Sequence, residues 1–409
     1  MLFRLFIIYF IRRRRQKMKS SKILIFSLLL IFSVDAYSQN FDEVLKNIEG
    51  NNKEIQAGNK LVESKILEHK QHNKLEGPEL SYGYFPENSS VPGKKEVFEV
   101  SQSFQMPCYY KNQSAYSKLM INQEELSHLV LRQNVLSEAK GLLVEYVYLM
   151  KQVFVADKRL KFAEDIYNAY LIRIELGDVN ALEVNKVKLH LLQVKKQENE
   201  LRTSILAVKE TLKNLNGGND LDISIDDYPN ESISELDSLL FEKLTIDPEL
   251  LYNQKVVEAS ERNIKLTKNL QLPNFSLGYG SETVVDEKFR GLLVGVSIPL
   301  WGSKNAIQKA KIESEYYNLN NVSITESKIS DTKIQFERII SLQENLNSYN
   351  TVLGSVNSED LLNKSLEAGE ISIIEFFTEM FYFYEIYDDY LMVEKEYHQA
   401  LGELYKYKL

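Results

Sequence analysis

The side chains that could do chemistry are few and scattered. His69 and His72 lie one helical turn apart beside Glu68, a spacing that could hold a metal ion. With no fourth ligand in reach, the trio reads better as a solvated helix face. The run Gly295–Lys304 has the look of a phosphate loop, but Gly302 is followed by Ser303 where that loop needs lysine. GxGxxG, HExxH and nucleophile-elbow patterns are absent, so the sequence assigns no catalytic, cofactor-binding or metal-binding residue and points away from an enzyme. What remains is a pair of carboxylates at matched positions. Glu183 stands six residues after Gly177-Asp178 begins, and Glu375 six after Gly369-Glu370 begins. Carboxylates repeated around one axis attract cations and favour their passage. Whether such an axis exists depends on the elements that carry them.

Those elements are duplicated. Phe275, Leu277 and Tyr279 alternate with Asn274, Ser276 and Gly278; after a polar gap, Leu292, Val294, Val296, Ile298 and Leu300 alternate with small residues. Period-two alternation around a polar loop predicts a β-hairpin. An earlier copy runs from Leu75 to Tyr109, with Leu80, Tyr82 and Tyr84, then Glu87–Glu96, then Phe98, Val100, Phe104 and Met106. Pro299 and Trp301 lie 192 residues after Pro107 and Tyr109, and Gly369 lies 192 after Gly177. The chain contains two copies of one unit.

Composition narrows the class. The 409 residues include only 17 Gly and 8 Pro, a balance that favours long helices. One cysteine, Cys108, leaves no internal disulfide. Net charge is −9, but residues 1–38 hold eight basic residues and one acidic, so a +7 leader hides a body of −16. An acidic body argues against nucleic acid as a partner. In the leader, Met18–Lys22 is a basic n-region, Ile23–Val34 an apolar h-region and Ala36-Tyr37-Ser38 a cleavage site. This is the pattern of a secretory signal peptide; an uncleaved anchor would need a longer apolar run, of about 20 residues.

The rest of the chain reads as helix. Within a first repeat over 39–218, strands are expected at about 78–86 and 96–107, a long helix at 111–176 and a return helix at 181–215. The long helix would span roughly 100 Å. A second repeat over 247–409 is expected to hold strands at about 273–281 and 289–300, a long helix at 303–368 and a return helix at 372–407. In the first return helix Val187, Leu191, Val194, Leu201, Ile205, Val208, Leu212 and Leu215 step by threes and fours, a left-handed coiled-coil seam. Residues 219–246, acidic and irregular with Pro229, read as a linker or a small side element at the equator. Two short helices stacked end to end can therefore run antiparallel to each long one, with the linker and chain ends gathered where they meet.

Each strand is about 9–11 residues long, enough to cross a bilayer when tilted. Four strands cannot close a barrel, and lipid does not tolerate open edges. Three chains would supply twelve strands around a water-filled lumen. On this reading Leu292, Val294, Val296 and Ile298 face lipid, while Gly291, Gly295 and Ser297 face the lumen. Tyr109, Tyr110 and Trp301 stand where strand meets helix, and Phe85 and Phe289 at the loop ends, as interfacial aromatic girdles would.

Taken together, Asn51–Ile55, the run GLLVGVSIPLW (Gly291–Trp301) ahead of a long helix, and the turns LGDVNALEV (Leu176–Val184) and EAGEISIIEFF (Glu367–Phe377) give the chain a clear resemblance. It resembles the TolC-type outer membrane factors over all of the expected mature length. That resemblance implies a homotrimer in the outer membrane, with a 12-stranded barrel and an α-helical tunnel reaching into the periplasm. It implies partners as well: a periplasmic adaptor (membrane fusion protein) and an inner-membrane pump, in an efflux or type I secretion system. It also places Asp178, Glu183, Glu370 and Glu375 at a closed periplasmic tip. Thr378 stands where a second aspartate is usual and Ile371 where a basic gate residue occurs, so a latch that is apolar or differently bonded is expected. The chain stops soon after its last helix, so a reduced side domain is expected too. The competing expectation is a periplasmic coiled-coil adaptor or scaffold without a pore.

Overall fold

A computed structural model describes residues 41–86, 93–285, 287–299, 301, 304–355 and 358–409. The expected signal peptide, residues 87–92 of the first hairpin loop, Leu300, and Gly302-Ser303 of the loop-like run fall outside the described residues.

In chain order the elements are α1 (Phe41–Asn51), α2 (Lys53–Gln71), β1 (Glu79–Phe85), β2 (Lys95–Phe104), α3 (Pro107–Glu175) and α4 (Ala181–Leu215). Then come α5 (Leu236–Ile246), α6 (Pro248–Asn269), β3 (Asn274–Val284), β4 (Glu287–Ser297), α7 (Lys304–Ser355), α8 (Ser358–Glu367) and α9 (Ile373–Leu404). The stretch expected as one helix over 303–368 is thus described as α7 and α8, on either side of residues 356 and 357. Strand β2 ends at Phe104, short of the expected 107. Pro107 has no N–H for a ladder and instead opens α3 as its first residue. The segment between the repeats contains α5.

At 69 residues, α3 is the backbone of the molecule, roughly 100 Å long. On one side it is flanked by α2 and α4, on the other by α6 and α9, and α7 packs beyond those two. Helices α2 and α4 meet end to end against α3. At that joint the buried Asn52 caps α2 by accepting from the Ile55 N–H (2.9 Å) and donates to the Leu215 carbonyl of α4 (2.8 Å). Asn51 adds a bond to Asn216 (3.0 Å). In the second repeat, Asp247 caps α6 by accepting from the Glu249 N–H (2.9 Å). The result is a wall of helices with α2/α4 at one edge and α7 at the other. Among the described residues, no helix is long and apolar enough to cross a membrane.

The core is distributed along this wall. At the middle, α1 lays Phe41, Val44, Leu45 and Ile48 onto Leu136, Leu143 and Val147 of α3, and the linker adds Ile223 and Ile225. Leu239 of α5 packs against Ile339, Leu401 and Leu404. The linker and both described chain ends therefore gather at the level where the short helices meet.

Candidate functional site

One end of the wall carries a four-stranded antiparallel sheet in the order β1-β2-β3-β4. The two hairpins are joined by β2 and β3, which pair from Lys95↔Val284 to Phe104↔Phe275. Residues paired across an antiparallel ladder share a face, so the register sorts the side chains. Phe275↔Val296, Leu277↔Val294 and Tyr279↔Leu292 lie on one face, continued by Val100, Phe98, Leu80 and Tyr82. The opposite face carries Ser276↔Gly295, Gly280↔Gly291, Ser101↔Gly278 and Gly83↔Val97, with Leu293 and, toward the loop, Phe289 as its large apolar residues on β4. The apolar face is uncovered: Leu292 is 78% and Val294 77% exposed, and Val296 and Ile298 are exposed too. On the other face the backbones come close. A Cβ on Gly278 would stand 2.9 Å from the Val100 carbonyl oxygen, so glycine is required there. Within this chain β1 and β4 are edges, each hydrogen-bonded on one side only.

The aromatic residues expected between strand and helix are where the sequence put them. Tyr109 and Tyr110 lie in the first turn of α3, their rings edge to face at 5.4 Å. The Tyr110 hydroxyl accepts the Gln105 N–H (3.0 Å), tying the end of the hairpin to the helix. Trp301 is 93% exposed.

At the opposite end both turns are built alike. Gly177 and Gly369 adopt φ of 78° and 73°, the left-handed conformation that ends a helix. The N–H groups of Asp178 and Glu370 then reach back to the carbonyls of Arg173 and Ser365, both at 2.9 Å. Each return helix starts with a capping box. The Asn180 side chain accepts from the Glu183 N–H (3.0 Å) while the Glu183 carboxylate accepts from the Asn180 N–H (3.2 Å). Ser372 and Glu375 repeat the pattern at 3.3 and 2.8 Å. The Ser372 N–H and hydroxyl hold the Glu375 carboxyl below its ordinary range. Both glutamates are therefore anchored by the backbone of their own turns. Asn180 and Ser372 escaped the sequence reading, although Asn-x-x-Glu and Ser-x-x-Glu before an apolar run are the pattern of such a box.

Between the turns lies an apolar cluster of Ile166, Tyr170, Val187, Ile373, Phe376 and Met380. Ile371 packs against it, and Thr378 spends its hydroxyl on the Ile374 carbonyl (2.9 Å). Farther up, Arg159 of α3 forms a two-pronged ion pair with Asp388 of α9 (2.9 and 2.8 Å) and lies over the Tyr384 ring. The histidines of α2 do not converge: His72 is bonded to the Glu68 carbonyl (2.8 Å), and His69 faces Glu124 at 3.7 Å.

No protein-family model matches the chain, and no curated protein does. Solved structures do. The chain is similar to the transmembrane channel CusC, at 12% identity over 91% of this chain and 92% of that one, with a TM-score of 0.75. It is similar to the open-state outer membrane channel MtrE of Neisseria gonorrhoeae (12% identity, 90% and 88% covered, TM-score 0.72). It also resembles the outer membrane channel CmeC of Campylobacter jejuni (15% identity, 90% and 85% covered, TM-score 0.70). At these identities the likeness is one of fold. The chain has the fold of these outer membrane channels, mainly helical with a strand contribution to a barrel, as the resemblance to TolC-type factors led one to expect.

Proposed function

We propose that three copies of this chain form an outer-membrane duct that passively conducts substrates from periplasm to exterior, as the exit of a tripartite efflux pump or type I secretion system. The observation that carries this reading is the sheet. Its length suits a bilayer, its register separates an uncovered apolar face from a Gly/Ser face, and its two edges need partners. Three copies would satisfy the edges with twelve strands, place the apolar face in lipid and leave the small-residue face to water. The same copies would close the helical wall by setting α7 of one chain beside α2 and α4 of the next. A scaffold without a pore has no use for such a sheet, and nothing in the structure favours it.

The partners follow from the direction of transport. A passive duct needs a pump in the inner membrane and an adaptor across the periplasm. The capped turns form the periplasmic gate, with Glu183 and Glu375 as threefold carboxylate rings beside Asp178 and Glu370. The test is assembly and conductance of the purified full-length protein. Light scattering in detergent should return a trimer, and planar bilayers should show discrete cation-preferring channels. A monomer that fractionates with the soluble periplasm and conducts nothing would overturn the reading.

A further inference from the structure

The linker between α4 and α5 crosses the joint between the two repeats as a strap, and its attachments are of an unusual kind. Ile223 and Ile225 are buried in the central core. Beyond them, Asp227 pairs with Lys151 of α3 (2.7 Å), Glu231 with Lys140 of α3 (2.7 Å), and the Tyr405 hydroxyl bonds Ser234 and Ser232 (3.0 and 3.2 Å). Between these anchors the Tyr228 ring lies flat on the His398 imidazole of α9, with centroids 4.2 Å apart and planes at 13°. The Lys151 ammonium, itself paired with Glu394 (2.9 Å), covers the Tyr228 ring at 4.5 Å. The Tyr228 hydroxyl is buried without a hydrogen-bond partner among the described residues. The stack is thus held by ring contact and charge placement, not by a bond from the phenol.

His398 also lines an open cavity of about 440 Å³, which Gly141 of α3 and Gly402 of α9 help to line beside Lys140 and Glu145. Water and protons therefore reach the imidazole edge. The charged groups around it are Glu138, Lys140, Glu145 and Lys151 on α3, Asp227 and Glu231 on the strap, and Glu394 and Glu403 on α9, with the Tyr397 ring edge-on at 5.2 Å.

We propose that residues 226–234 are an acid-released clasp across the α3–α9 joint, in which protonation of His398 unseats Tyr228 and loosens the strap. Burial, and then Lys151 and Lys140, push the imidazole from its ordinary 6.5 down to about 4, with Asp227 opposing. A group lowered in the fastened state favours that state when neutral, so the clasp is tightest above about pH 6.5. As pH falls from there to about 4, proton uptake by the released imidazole raises the opening constant by about tenfold per unit in mid-range and about 100-fold in all, because the fastened imidazole itself takes up a proton near the end of that range. Asp227 is held on the charged side by its partners. Burial works against its charge, but Lys151 and the Tyr228 N–H hold its carboxyl below the ordinary value.

Hydrogen exchange of the full-length protein, corrected for the intrinsic pH dependence of amide exchange, tests this whether or not the protein conducts. In the wild type, protection over 222–231 should fall by up to about 100-fold between pH 7 and pH 4, while amides in the middle of α4 hold. His398→Phe keeps an aromatic stack and His398→Gln a polar one; neither titrates, and both should flatten the profile. A wild-type strap whose protection does not change with pH would overturn the proposal. So would a fall that persists undiminished in both variants, because the carboxylates would then be responsible.

Discussion

The two ends of the helical wall solve the problem of apolar surface in opposite ways. At the turn end, Phe376 is completely buried, and Ile166, Val187, Ile373 and Met380 close around it from three elements of one chain. At the sheet end, Leu292, Val294 and their neighbours are exposed. The helices beneath them meet through small polar contacts instead: Ser260 to Ser314 (3.0 Å), and Gln123 to the Lys255 carbonyl (2.9 Å). The same chain thus completes one core and leaves the other surface unfinished. An apolar face that is regular in register, with small residues opposite it, is not a failed core. On the proposed reading it is a surface made for a medium other than water.

The comparison breaks most readily at the turn end. Phe376→Ala should destabilise that end by about 3–5 kcal/mol, seen as lost amide protection near both turns, whereas Leu292→Ala should leave those amides unchanged. Equal effects of the two would mean that the ends are not distinct. Next in size is Arg at Val296, which should weaken folding into lipid vesicles by about 2–4 kcal/mol if the residue lies near the midplane. Arg at Ser297 should cost far less, and equal tolerance would show that the two faces have been wrongly assigned. Removing a cap at the turns, by Asn180→Ala or Ser372→Ala, should cost about 1 kcal/mol each in denaturant melts.

The smallest effect is the most discriminating. Glu375→Gln keeps an acceptor for the Ser372 N–H but removes the charge, so stability at neutral pH should change little. The wild-type carboxyl is held low, so its capping contribution is present above the ordinary carboxylate range and fades as pH drops through it; the glutamine variant should lose that dependence. If bilayer recordings of Glu375→Gln and Glu183→Gln retain full cation preference, the two glutamates are helix caps and nothing more.

Much of this was legible because duplication leaves arithmetic in a sequence. The spacing of 192 between Gly177 and Gly369 placed both turns, and alternation placed four strands. What escaped had physical reasons. α1 is short and follows an apolar leader, which masked the spacing of Phe41, Val44, Leu45 and Ile48. α5 leaves Phe241, Leu244 and Ile246 exposed, so no single apolar face announces it. The pairing of β2 with β3 joins segments far apart in sequence, and alternation alone does not say which edges meet. The carboxylates were found by position, but their engagement as caps depends on backbone N–H groups that residue types do not display.

The joint at Asn52 also has a consequence in time. Its side chain waits for the Leu215 carbonyl, 163 positions along the chain, and the Tyr405 hydroxyl closes on a strap 173 positions before it. Contacts of that separation form late, after the loops they close have given up their freedom. Each column of stacked helices is therefore completed only when its whole repeat is present. A chain interrupted before Leu215 would hold a long helix with half of its flank bare and its apolar stripe open to aggregation.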